Sequence, residues 1–147
     1  MSTESEFLSA DAPVRILTEY DVLSPEQLAA LVLGPDAEVV PAGAYPPSGE
    51  SCGIYMLFNA DGALLYVGKS LGVGYRNLQH HWAAQRGKRS SFVEYAFVPV
   101  QEHLLSAVEC AYIDALEPPE NKARPCTTWR HHAALVRMIR EVWGPKK

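Results

Sequence analysis

Long apolar runs are missing from this chain of 147 residues. Nothing in it approaches the roughly 18 to 20 unbroken apolar residues of a membrane span. Its opening, MSTESEFLSADAP, is acidic and polar where a secretory signal would be basic and then apolar. A soluble, cytoplasmic protein is expected. Cysteine is scarce: Cys52, Cys110 and Cys126 form an odd set without metal-type spacing, which argues against a disulfide framework and against a zinc ribbon or finger. There is no internal repeat, no low-complexity tract and no recognisable helix-turn-helix. With 48% hydrophobic and 20% charged residues, the chain carries enough apolar material for one core, and full disorder is excluded.

Charge of one sign is nearly absent from each of two stretches. Residues 1–50 hold nine acids against the single base Arg15, whereas residues 51–147 hold twelve bases and eight acids. Positions 62–93 contain Lys69, Arg76, Arg86, Lys88 and Arg89 and no Asp or Glu. Such a local excess suits a polyanion as well as it suits an ordinary solvated face, and these five cations are the candidate nucleic-acid contacts.

The chain divides near residue 50 into an acidic N-terminal extension, 1–50, and a second unit, 51–147. Within the extension, Val14 to Tyr20 reads as a strand or docking segment. Ser24-Pro25-Glu26-Gln27 opens a short helix, with Ser24 as N-cap, Pro25 at the first helical position and Gln27 closing a capping box; Gly34-Pro35 requires it to stop near Leu33. PAGAYPPSGE, residues 41–50, reads as a linker. The second unit begins with a hairpin, Gly53 to Phe58, a turn at Asn59-Ala60-Asp61-Gly62, and a return over Ala63 to Val67. A glycine-rich loop over 68–74 leads to a helix from Tyr75 to about Gln85, then a basic loop, a third strand over Phe92 to Val98, and an amphipathic helix from Gln101 to Leu116 stopped by Pro118-Pro119. A last helix runs from about Thr128, capped by Thr127, to Val142. The expected fold is α/β: a small three-stranded, mostly antiparallel sheet flanked by helices.

Seven side chains stand out by order and spacing: Tyr55, Tyr66, Lys69, Arg76, His80, Glu109 and Asn121. Each taken singly has an ordinary explanation in packing or solvation. Together, Gly53-Ile54-Tyr55, ten intervening residues and Tyr66-Val67-Gly68 resemble the signature of the GIY-YIG nuclease superfamily, with valine at the middle of the second triplet. Lys69 then stands in the following loop, Arg76 and His80 lie four apart on the next helix, Glu109 on the following long helix, and Asn121 twelve residues beyond it. The resemblance spans about residues 51 to 125 and implies a β-β-α-β-α module that hydrolyses phosphodiester bonds in nucleic acid, DNA first.

The chemistry suits those residue types. Attack of water on phosphorus builds negative charge that cations must meet. The resemblance makes Glu109 the ligand of one Mg²⁺ or Mn²⁺, an ion that keeps most of its waters and needs few protein ligands. Arg76 would offer an always-charged fork to the same phosphate. Tyr55 would be the base toward water and Tyr66 would position phosphate or water, with the two roles exchangeable. A free tyrosine, near pKa 10, is a weak base at neutral pH, so His80 and Lys69 take supporting roles. All of this requires the phenols, guanidinium, imidazole and carboxylate to converge on one pocket. Gly68 is expected to let substrate approach the strand end.

Among the remaining side chains, Trp82, Trp129 and Trp143 read as core anchors before base-stacking platforms, although an exposed tryptophan on the basic face could stack a base; His131 and His132 read as surface residues, and Cys52 and Cys110 as packing. A homo-oligomer stays open. Two other functions remain beside DNA cleavage: a binding or regulatory module whose acidic extension covers the basic surface, and an RNA-cleaving nuclease.

Overall fold

The structure, a computed structural model, describes residues 22–32, 38–46, 52–88, 90–121 and 129–144. The Val14 to Tyr20 segment, the Thr127 cap, Arg89 and Cys126 lie outside them. The capping box forms as the sequence requires: the Ser24 Oγ accepts the Gln27 N–H at 3.1 Å and the Gln27 Oε1 accepts the Ser24 N–H at 2.8 Å. The helix they open, α1, is short, Pro25–Ala30.

Four antiparallel strands make one sheet: β1 (Glu38–Pro41), β2 (Gly53–Phe58), β3 (Leu64–Ser70) and β4 (Glu94–Pro99), in the order β1-β4-β2-β3. The expected hairpin is β2–β3. Its turn is held by the Asn59 Oδ1, which accepts the N–H groups of Asp61 and Ala63 at 2.9 and 3.0 Å, and by Gly62 at φ +80. The sheet departs from expectation in two places. A fourth strand, β1, comes from the acidic extension and pairs with β4, so residue 41 ends a strand where a linker was expected. β3 also runs on through Gly68 and Lys69 to Ser70, because Gly53 and Ile54 of β2 continue to pair with it.

Strand alternation sorts the two faces. One face carries Val40, Tyr55, Leu57, Tyr95 and Phe97, and helix α2 (Val73–Gln85) packs there through Val73. The other carries Ile54, Met56, Val67, Ala96 and Val98. It is covered by α3 (Leu105–Leu116), entered through a 3-10 turn at Glu102–Leu104, and by α4 (His132–Trp143). α3 buries Leu105, Val108, Tyr112 and Ile113, as their spacing requires, and ends at Glu117 in the left-handed region, φ 48, just before the two prolines.

The extension is fastened into this core. Leu28, Leu31 and Val32 pack with the α3 face. The Tyr112 hydroxyl donates to the Leu31 carbonyl at 2.7 Å and the Trp143 indole N–H donates to the Val32 carbonyl at 3.0 Å. Burial drives the Tyr112 phenol well above the ordinary tyrosine range, so it stays a donor. No helix among the described residues is long and apolar enough to cross a membrane.

His131 and His132 are half-buried with assigned partners, a correction to their reading as surface residues. His132 Nε2 lies 2.7 Å from Asp114 Oδ2. His131 Nε2 accepts the Leu23 N–H at 3.0 Å, which only the unprotonated nitrogen can do, and its ring meets Trp129 edge-on at 5.3 Å. Burial and, secondarily, the Arg130 charge hold its pKa below the usual 6.5. The unfolded chain therefore binds a proton first as pH falls, so this contribution is complete above about pH 6.5 and declines below it. Urea midpoints measured between pH 5 and 8 should fall on the acid side for the wild type and fall less for His131→Gln. Equal acid slopes for the two proteins would refute the link.

Candidate active site

Three of the seven candidates meet on the α2 face of the sheet. Tyr55 sits in β2, Tyr66 in β3, and His80 on α2, where Val73, Gly74, Asn77 and His80 form the buried side of the helix. Tyr55 Oη and His80 Nε2 lie 2.9 Å apart, a buried hydrogen bond. The rings form a triangle: centroids are 6.2 Å apart for Tyr55–Tyr66 and 5.6 Å for each tyrosine with His80. Tyr55 is 1% exposed and His80 6%, whereas Tyr66 is only partly buried and presents the cluster to solvent. His81, one residue on, turns to Phe92 and Gly43 instead.

Gly68 faces Tyr55 directly across the hairpin, and a Cβ there would lie 2.4 Å from the phenol's Cζ and Oη. The missing side chain makes room for Tyr55.

Lys69 and Glu109 form a second group. Lys69 is paired across the hairpin with Ile54, so alternation puts it on the α3 face, opposite Tyr55 and Tyr66. Its Nζ lies 3.1 Å from Glu109 Oε1, with the lysine side chain 41% and the glutamate 14% exposed. Arg76 is exposed and its Nη1 donates to the Gln79 Oε1 at 3.2 Å, one turn of α2 away from His80. The single pocket expected from the sequence is thus replaced by two groups on either side of β3.

Asn121 serves the backbone. Its Oδ1 accepts the Val67 N–H at 2.9 Å and its Nδ2 donates to the Val67 carbonyl at 2.8 Å, while the Glu120 N–H donates to the Leu65 carbonyl at 3.0 Å. Residues 120 and 121 act as a short substitute strand on the outer edge of β3. They satisfy groups an edge strand would otherwise leave open, so Asn121 is a positioning residue. Its cover ends at Val67, which leaves the Lys69 end of β3 uncovered by any described segment.

No cluster of three or more His, Cys, Asp or Glu that could cage a metal exists among the described residues. What is available is one carboxylate: Glu109 gives one oxygen to Lys69, and its other oxygen accepts no hydrogen bond from them. That donor set fits a hydrated divalent ion bound through a single protein oxygen, the arrangement Mg²⁺ tolerates. Tyr95, the other large phenol on the α2 face, is not a rival base. It donates to the Ala44 carbonyl at 2.7 Å, and burial, with the Glu38 charge and Tyr45 behind it, pushes its pKa up to about 12. A groove of about 320 Å³ between α1 and residues 99–104 contains none of the seven candidates. Compared with protein-family models and with curated proteins, the chain matches none.

Proposed function

We propose that the chain is a metal-dependent endonuclease of the GIY-YIG kind, cutting DNA with the scissile phosphate seated against the Lys69 end of β3. One observation carries this reading: within four consecutive residues of an edge strand, Tyr66 joins a phenol–imidazole cluster and Lys69 joins a carboxylate pair. The one-sided pocket that the sequence reading requires is not formed, so the proposal rests on the edge geometry instead: nothing but the strand itself separates the two faces there, and one phosphodiester group laid across it can be addressed from both.

Tyr66, the most accessible ring of the cluster, contacts the attacking water, and the Tyr55–His80 pair behind it holds the proton-accepting imidazole in place. As free groups, imidazole titrates near 6.5 and phenol near 10, so histidine suits proton transfer at neutral pH better than tyrosine does. Lys69 and Arg76 bring positive charge to the phosphate from the two sides, Arg76 with most of its donors uncommitted among the described residues. Glu109 would hold the divalent ion through the oxygen that does not meet Lys69. When bound, that ion supplies Lewis-acid stabilisation of charge on the phosphate and leaving oxygen.

The test is direct. Purified protein with Mg²⁺ should nick plasmid, single-stranded or branched DNA, a chelator should stop it, and Glu109→Ala should lose it. Absence of cleavage on all three substrates, or cleavage unchanged in Glu109→Ala, would remove the proposal. RNA cut in preference to DNA under the same conditions would reassign the substrate.

A further inference from the structure

The outer face of α2 is unlike the solvent face of an ordinary amphipathic helix. Tyr75 is 56% exposed and Trp82 45%. Seven residues apart, they lie within about 20 degrees of each other around the helix and about 10.5 Å apart along it. Trp82 is the one tryptophan so placed among the described residues, since Trp129 is buried and the Trp143 indole is tied to Val32. Arg76, about 100 degrees round the helix from Tyr75, and Arg86 and Lys88, just past its C-terminal end, are also exposed, and residues 62–93 contain no acid.

Hydrophobic docking of another protein does not account for this composition, because the three cations on the same segment as the two rings would be desolvated without partners. A single-stranded polynucleotide accounts for both parts. Its bases have apolar faces that stack on aromatic rings, and its phosphates need cations within reach of the same segment. The rise along the helix between the two positions, about 10.5 Å, corresponds to about three base steps of 3.4 Å. In a duplex the base faces are already stacked on one another, so only unpaired bases can use the rings.

We infer that α2 presents a stacking platform, Tyr75 and Trp82 with Arg76, Arg86 and Lys88, that binds single-stranded nucleic acid. Resting on the nuclease reading, this makes unpaired or frayed strands the preferred substrate class: Arg76 belongs both to the platform and to the scissile phosphate, so a strand stacked along α2 is delivered to the end of β3.

Binding can be measured apart from cutting, on the full chain with a chelator present. The probes are a fluorescein-labelled oligothymidine, an abasic strand of the same length and a duplex of the same length, followed by anisotropy. The oligothymidine should bind on the order of tenfold tighter than the abasic strand. Trp82→Ala should remove most of that advantage without changing abasic binding, and Trp82→Phe should keep it. Three phosphate contacts predict a slope of about −2 for log affinity against log salt. Tyr75→Ala gives an independent second variant should Trp82→Ala lower the melting temperature. Equal binding of abasic and thymidine strands, tightest binding to duplex, or no effect of either aromatic substitution would overturn the inference. Ring-dependent binding without cleavage under Mg²⁺ would sink the nuclease reading and keep the platform; cleavage untouched by both substitutions, with no ring-dependent binding, would do the reverse.

Discussion

Tyr55→Phe should lower the rate of DNA cleavage about 10²-fold while leaving metal-free DNA affinity unchanged. The substitution removes one oxygen, 2.9 Å from His80 Nε2 and 1% exposed, and preserves the ring that packs between Gly68 and His80. Its structural cost is that of taking one partner from a buried imidazole, about 1 to 3 kcal/mol, which shifts the melting temperature without unfolding a domain of ordinary stability. The two roles of the bond separate by measurement. If the hydroxyl serves packing alone, the melting temperature falls and the pH profile of kcat keeps its shape. If it orients the imidazole that takes the proton, the acidic limb of that profile moves. In that case His80→Ala and the double variant Tyr55→Phe, His80→Ala should be about equally slow, because groups acting as a unit are not additive. Independent, multiplying losses would break the pairing of the two residues, whatever became of cleavage.

The Tyr55–His80 contact was within reach of the sequence because two periodicities define it. Alternation along β2 and helical spacing along α2 each leave one inward face, and Arg76, four residues before His80, picks out His80 over His81. The division of the site across β3 was legible in principle and hidden by glycine. Three glycines between 68 and 74 read as a loop, in which Lys69 has no defined face. Once pairing with Gly53 and Ile54 carries the strand to Ser70, the odd spacing from Tyr66 to Lys69 forces them to opposite sides. Strand β1 was missed because four residues, Glu38 to Pro41, show only one full alternation, with Val39 59% exposed and Val40 buried, and because proline ends it. Asn121 could not be assigned from spacing at all: its amide matches one residue of backbone 54 positions away, and no local pattern encodes such a pairing.

The two glycines of the paired triplets should fail in different ways when given a methyl group. A Cβ on Gly53 would lie 2.2 Å from the Val98 carbonyl oxygen, 2.7 Å from the Phe97 ring and 3.0 Å from the Pro99 Cα. Two of those three atoms are backbone of the neighbouring strand, and Gly53 pairs with Pro99 in β4 and Ser70 in β3 at once. Relief requires the strands to part, so Gly53→Ala should cost about 3 kcal/mol or more and lower the melting temperature by roughly 6 to 20 °C. The three atoms nearest a Cβ on Gly68 all belong to the Tyr55 ring end, which can move, though only out of a site that is closed around it. Gly68→Ala should therefore cost less, about 1 to 3 kcal/mol, and displace the phenol from His80, so that its cleavage rate falls with that of Tyr55→Phe while its melting temperature stays above that of Gly53→Ala. The comparison of the two variants by thermal denaturation and by single-turnover cleavage makes the prediction two-sided. Gly68→Ala retaining full cleavage would show that the Tyr55–His80 contact survives the methyl group or does no chemical work. Gly53→Ala melting like the wild type would show that β2 and β4 are not packed as tightly at their ends as Val98 and Phe97 require.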